Sequence, residues 1–154
     1  MARVQNPQKN FNFDVKITAS PFFNPFTVQE CTTPDTKIDQ VEHGETNHVI
    51  KTAGQVKYSN GKLKGILDAD GPIDWVWEWL LSVQNVDNGG GDIPAIYKKT
   101  LYVEYYDVDG FTVLQTEIWS GAWPCDLAGK HLKRIGSENL LNEFEISVDK
   151  VTKV

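Results

Sequence analysis

Cysteine, histidine and methionine are scarce in this chain of 154 residues, which holds two Cys, three His and one Met. Cys31 and Cys125 stand far apart, so they build neither a disulfide framework nor a cysteine zinc site. A reducing compartment is the simpler expectation. An excess of positive charge is also missing. Fifteen Lys and Arg face 21 Asp and Glu, a net charge of −6. The first 70 residues balance, and the rest of the chain carries the whole surplus of acid. A dedicated nucleic-acid binder draws its affinity from phosphate neutralisation and needs the opposite sign. A ligand of anionic membrane is disfavoured for the same reason. Long apolar runs are absent: the longest, Trp75 to Leu81, is short and broken by Glu78, so no membrane span is expected. Met1 to Pro7 shows no apolar signal-peptide region. Internal repeats and low-complexity tracts are lacking apart from Gly89-Gly90-Gly91. A soluble protein made in a cytoplasm is the expectation.

Aromatic residues are what the chain has in quantity. Five Trp, five Tyr and seven Phe amount to 11% of the residues, more flat apolar surface than a small monomer needs. Apolar residues at 40% and charged residues at 23% describe one globular domain, long enough to bury a core without staples.

Alternation marks the strands. Phe11, Phe13, Val15, Ile17 and Ala19 alternate with polar residues and predict a half-buried strand. Phe26 to Thr32 predicts a second strand, Thr33-Pro34-Asp35 a turn, and Lys37 to His43 a third strand, the pair forming a hairpin. Glu45 to Ser59 has a thin apolar pattern and is expected to be an extended, exposed loop or arm. Gly61 to Leu67 is a strand after the Asn60-Gly61 turn signal. Thr100 to Asp107 and Phe111 to Trp119 form a hairpin around Asp107-Val108-Asp109-Gly110, followed by a bend at Gly121 to Pro124. Lys130 to Ile135 predicts a short basic strand, and Asn142 to Val151 alternates Phe144, Ile146 and Val148 with polar residues. About eight strands result.

Ile73 to Val86 predicts the one helix, with Asp70 or Gly71 as N-cap, Pro72 in the first turn and Asp87 to Gly91 as its stop. Trp75, Val76, Trp79, Leu80, Val83 and Val86 share one arc, and Trp77 and Leu81 extend it. Packing on one sheet needs a stripe of about 100°. The wider face asks for a second cover, which is either a loop of the same chain or another subunit.

Candidate chemistry is thin. His43 and His48 flank Gly44-Glu45 but lack further ligands, and His131 stands alone, so no metal site is expected. Asp68-Ala69-Asp70-Gly71 and Asp107-Val108-Asp109-Gly110 resemble fragments of a calcium loop but lack its closing Glu, and Asp-Gly is turn chemistry. No nucleophile elbow, phosphate loop or dinucleotide fingerprint occurs, so catalytic residues and cofactors are both expected to be none. The Trp residues raise a different class, a monomeric carbohydrate-binding β-sandwich, although Trp75, Trp77 and Trp79 fall on the helix.

The order of elements carries a resemblance. Its parts are the strand Phe11 to Val15, then Val28 to Cys31, Asp39 to Gly44 and Gly61 to Gly65. A Trp-bearing helix after Asp70-Gly71, Tyr106 to Gly110, Ile118 to Pro124 and Leu140 to Ile146 complete it. Together these resemble the tail tube proteins of contractile-tailed bacteriophages, a family shared with tube subunits of R-type pyocins and contractile injection systems. Thr32-Thr33-Pro34 stands where the family often has a Gly.

The resemblance implies a mainly β fold with one α-helix, a β-barrel or sandwich, in hexameric rings stacked into a tube. It implies a virion protein, present in the host cytoplasm before assembly, through whose bore phage DNA passes without sequence-specific binding. Implied partners are other copies in a homo-hexamer and stacked self-polymer, the tail sheath, baseplate or initiator and terminator proteins, and a tape measure protein in the lumen, with no membrane insertion. Residues 1–10 become an N-terminal extension and 45–59 an inter-subunit arm. Gln29, Glu30, Asp39, Gln40 and Glu42 become lumen-lining candidates. Trp77, Leu81, His48, Val49 and Ile50 become subunit-interface candidates. A pyocin-like or toxin-delivering tube is the near alternative.

Overall fold

A computed structural model describes residues 13–18, 27–66, 75–129, 132, 134–136 and 141–154. Among these residues, nine strands and two helices follow in the order β1 (Phe13–Thr18), β2 (Thr27–Thr32), β3 (Thr36–Gly44), β4 (Val49–Tyr58), β5 (Gly61–Ile66), α1 (Trp75–Val83), α2 (Pro94–Tyr97), β6 (Lys99–Tyr106), β7 (Val113–Leu127), β8 (Leu141–Ser147) and β9 (Lys150–Lys153). The fold is mainly β, as expected, with the four-residue α2 added to the one helix foreseen.

Seven strands form an antiparallel sheet in the order β1-β6-β7-β8-β5-β2, with β9 also paired to β7. Among the described residues the sheet does not close, and β1 and β2 stand at its two ends. It folds over at one corner. The bend expected at Gly121 lies inside β7, which runs on to Leu127 instead of stopping at Trp119. Gly121 has φ +64°, a conformation that costs an L side chain about 1–2 kcal/mol. Opposite it the chain from β8 to β9 turns at Val148 and Asp149, so both strands bend together. The Asp149 amide donates to the Ser120 carbonyl (3.0 Å), and its carboxylate takes the Lys98 ammonium (2.7 Å).

The core lies inside this fold. Leu63, Leu101, Val103, Trp119, Ala122, Phe144 and Ile146 meet Val76 and Trp79 of α1, all almost wholly buried. Trp79 Nε1 donates to the Tyr97 carbonyl (2.7 Å), tying α1 to α2. One carboxylate is enclosed with them: Glu117 accepts from Tyr105 Oη (3.1 Å) and Trp119 Nε1 (3.0 Å). Burial, reinforced by that carboxylate, pushes the Cys31 thiol up to about 12. Cys31 and Cys125 are both free thiols.

Four expectations are corrected. First, β2 and β3 are not a hairpin: β2 pairs with β5, and β3 pairs with β4. Pro34 is buried and carries the chain away from β2 instead of reversing it. Second, Val49–Tyr58 is a strand inside the stretch expected to be a loop or arm. Third, α1 ends at Val83, three residues early. The Ser82 carbonyl is taken by the Asp92 amide (2.7 Å), as the glycine loop folds back and leaves Val86 exposed. Fourth, Leu132 and 134–136 form no strand, while Lys130, His131 and Lys133 lie outside the described residues. So do Phe11, Ala19, Phe26, residues 67–74 with their expected cap, the first Asp-Gly turn, and 1–10.

On the outer side of β1 and β6, Glu104 accepts from Tyr106 Oη (2.7 Å) and Lys16 Nζ (3.0 Å). The Tyr106 bond first, then Lys16, holds its carboxyl below the ordinary Glu range. A depressed carboxyl contributes stability above its unfolded value and loses it as pH falls through the folded one. Glu104→Gln is therefore expected to cost about 1 kcal/mol near neutrality. Urea unfolding across the acid range should show the gap to the parent closing as Glu104 is protonated.

Candidate functional site

The surface is distinguished by what it leaves uncovered. Strands β3 and β4 form a separate two-stranded ribbon. Its base is tied by Asp35 and Ser59: the Asp35 amide donates to Ser59 Oγ (2.7 Å) and the Ser59 amide to the Asp35 carbonyl (3.1 Å). Its tip closes where the Glu45 amide donates to the His48 carbonyl (2.9 Å). A register shift between Ile38 and Gln40 marks a bulge, where Asp39 faces Gly54 and Gln55. Strand periodicity then puts Ile38, Gln40, Glu42, Val49, Ala53 and Val56 on one face, with Val41, His43, Ile50 and Thr52 on the other.

Both faces are bare. Ile38 and Val49 are 55% exposed, Val56 47%, Val41 44% and Ile50 42%. None of the five is among the residues packed on the core. A second uncovered region lies at Trp77, 42% exposed on α1, with Leu81 half-buried beside it. A third is the β6–β7 turn, where Val108 and Phe111 project.

The interface candidates thus fall on two elements: Trp77 and Leu81 on α1, and His48, Val49 and Ile50 at the ribbon tip, all exposed but the half-buried Leu81. The lumen candidates are not brought together either. Gln29 and Glu30 are exposed on β2, whereas Asp39, Gln40 and Glu42 lie on the ribbon. Gln40 and Glu42 share a face; Asp39 lies on the other, paired to Lys57 (2.7 Å). The hydrogen bond to Lys57 holds the Asp39 carboxyl below its usual range.

The remaining candidates resolve into structure. His43 Nε2 lies 3.2 Å from Thr52 Oγ1. Among the described residues no group of three His, Cys, Asp or Glu could hold a metal. Asp109 is spent on its turn: its carboxylate accepts the Phe111 and Thr112 amides (both 2.9 Å) and the Thr112 hydroxyl (2.6 Å). The Thr112 hydroxyl is the largest cause that lowers its carboxyl. Trp79 and Trp119 are buried, and Trp123 stacks edge-on against Tyr97 with centroids 6.2 Å apart. Among the described Trp side chains only Trp77 is substantially exposed, so they form no row of open rings for a sugar. An open cleft of about 420 Å³ beside α1 is lined by Glu78, Ser82, Asn85, Asn88 and Asp92, with no nucleophile paired to a base.

Comparison with curated proteins returns no match. Solved structures similar in fold include three from contractile systems. The anti-feeding prophage cap (AFP tube terminating cap) superposes with TM-score 0.78 at 21% identity, covering 100% of this chain and 95% of that one. The sheath/tube terminator of the extracellular contractile injection system PVC, in the extended state, gives 0.76 at 19%, covering 99% of each chain. The PVC sheath-tube complex in the extended state gives 0.74 at 19%, covering 98% and 93%. At these identities the likeness is one of fold. The family model described as T4-like virus tail tube protein gp19 matches residues 9–152, and the chain therefore belongs to that tail tube family.

Proposed function

We propose that the chain polymerises as stacked hexameric rings into the inner tube of a contractile tail, and that phage DNA passes through the bore. The observation that carries the polymer is the β3–β4 ribbon, which exposes apolar side chains on both faces, none of them among the residues packed on the core. Large apolar side chains exposed together on one projecting element mark an interaction site. Among the described residues the sheet adds two open ends at β1 and β2, and an unpaired strand edge is a template for a further strand. Head-to-tail contacts that close make rings, and those that do not close make filaments. A stacked tube uses both.

The protein contributes walls rather than catalysis, with neither metal nor cofactor. Six copies at −6 give a ring of about −36 before counter-ions. Acid facing the bore repels phosphate over a screening length of about 8 Å at physiological salt. A sheath outside the tube, baseplate or initiator and terminator proteins at its ends, and a tape measure protein within it are the partners this reading supplies. The subunit would wait in the host cytoplasm until it joins the virion. A toxin-delivering tube is the second reading, favoured by the fold it shares with the injection-system structures.

Negative-stain microscopy with size-exclusion chromatography tests the proposal: rings or rods are expected, and a monomer at every concentration overturns it. Trp77 and Leu81 supply a sharper check. Replacing both with Ser should leave a folded subunit that no longer forms tubes of normal length, and normal tubes would remove α1 from the interface.

A further inference from the structure

The outer face of the sheet formed by β2, β5, β8 and the end of β7 differs from the other surfaces described. Burial alternates along these strands. Leu63 and Gly65 of β5 and Asn142, Phe144 and Ile146 of β8 point inward, so Lys62, Lys64, Glu143 and Glu145 point outward. On β2, Cys31 faces the core, while Glu30 and Thr32 face out; on β7, Asp126 faces out opposite Glu145. Among the described residues no large apolar side chain is exposed on this face.

The charges lie in bands that follow the strands. β2 gives Glu30, β5 gives Lys62 and Lys64, β8 gives Glu143 and Glu145, and β7 gives Asp126. Each lysine has carboxylate beside it. Lys64 stands in register between Glu30 and Glu143. Lys62 is paired to Glu145 at 3.2 Å, and Asn60 Nδ2 approaches the other oxygen of that carboxylate at 3.5 Å.

Resting on the tube reading above, we propose that this banded face is the wall of the bore, and that its carboxylates guard Lys62 and Lys64 so that a passing polyanion is not gripped. Self-assembly covers the apolar ribbon, the Trp77 region and the β6–β7 turn; a face without apolar exposure is the one suited to remain against water. Its two bare lysines alone would grip phosphate and release counter-ions, giving salt-dependent retention repeated around every ring. With four carboxylates set among them, the face is acidic overall: Lys62 is paired to Glu145, and Lys64 stands in register between Glu30 and Glu143. Cargo DNA then meets a wetted wall on which carboxylates outnumber and flank the two cations. The lumen candidate Glu30 belongs to this wall, whereas Asp39, Gln40 and Glu42 go with the ribbon into contacts between copies.

Two measurements on assembled tubes test this. In the first, Glu143→Cys is combined with Cys125→Ser. Cys31 stays silent at neutral pH, because it is buried and its thiol is pushed up to about 12. A small maleimide should label position 143 in free subunits and in tubes, while a maleimide carried on a large protein should label free subunits only. Tubes labelled by the large reagent as fast as free subunits would overturn the wall assignment and leave the tube reading standing; failure of the unaltered protein to form tubes at all would overturn the tube reading itself. In the second, short duplex DNA is sedimented with tubes. Unaltered tubes should retain little. Tubes of Glu30→Gln/Glu143→Gln/Glu145→Gln, or of Glu143→Gln alone where the triple variant does not assemble, should retain several-fold more, falling steeply with salt. Adding Lys62→Gln/Lys64→Gln should abolish that gain. Retention equal to that of unaltered tubes, or a gain indifferent to the lysines, would overturn the guarding role.

Discussion

Replacing Ile38, Val49 and Val56 together with Ser should give a subunit that folds normally and polymerises only at far higher concentration. The three share one face of the ribbon, Ile38 directly opposite Val56 in register. Each is about half exposed and none rests on the core, so the isolated subunit loses little beyond strand propensity. Full burial of such a side chain stabilises by about 1.5–3 kcal/mol. Half of that remains to be gained on contact with another copy, about 1 kcal/mol for each residue. Losing about 3 kcal/mol per contact raises the concentration needed for assembly roughly 100-fold. Sedimentation across a concentration series reads the shift, and urea unfolding of the free subunit checks that its midpoint has not moved. Polymerisation at the parent's threshold would show that this face stays bare in the assembly.

How far the sequence foretold this arrangement depended on where each strand finds its water. β1 and the β6–β7 hairpin alternate cleanly because one face of each meets the core, and Asp109-Gly110 supplies turn chemistry between β6 and β7. The ribbon was obscure for the opposite reason. A strand exposed on both faces has no buried side to impose a period, so Val49, Ile50 and Val56 read as a sparse arm. The turn at Glu45 to His48 was the available signal, and it would have paired β3 with β4. β2 and β5 are neighbours only because the chain leaves for the ribbon and returns, a nested connection that local pattern does not encode. The banded face was hidden in the same way. Lys62-Leu63-Lys64 and Glu143-Phe144-Glu145 each announce a strand, but nothing local says that the two lie side by side. The end of α1 was missed because the Asp92 amide, ten residues beyond Ser82, takes the carbonyl that the next helical turn would have used.

Trp119→Ala should be the most damaging single change in the core. The ring is wholly buried on β7, just before the corner at Gly121. Truncating a buried Trp costs about 3–5 kcal/mol, against a total stability of about 5–15 kcal/mol for a domain. The change also strips Glu117 of one of its two donors, leaving a buried carboxylate with Tyr105 alone. Loss of a charged group's partner in a dry site adds about 1–3 kcal/mol, so the variant should lose about 4–8 kcal/mol, much of the domain's stability. Gly61 lets the same point be tested from the opposite strand. A Cβ at Gly61 would lie 2.7 Å from Cζ3 and 2.8 Å from Cη2 of Trp119, closer than carbon atoms approach. The ring is enclosed by core residues and has no open side toward which to give way. Gly61→Ala alone should therefore cost about 1–3 kcal/mol through overpacking. Paired with Trp119→Phe, which shortens the ring, its added cost should largely disappear. Chemical unfolding of the four proteins closes the cycle, and the two changes should be strongly non-additive. Simple additivity would mean that β5 and β7 do not meet through this contact, and the inward direction of Leu63 and Gly65, on which the outward placement of Lys62 and Lys64 depends, would lose its anchor.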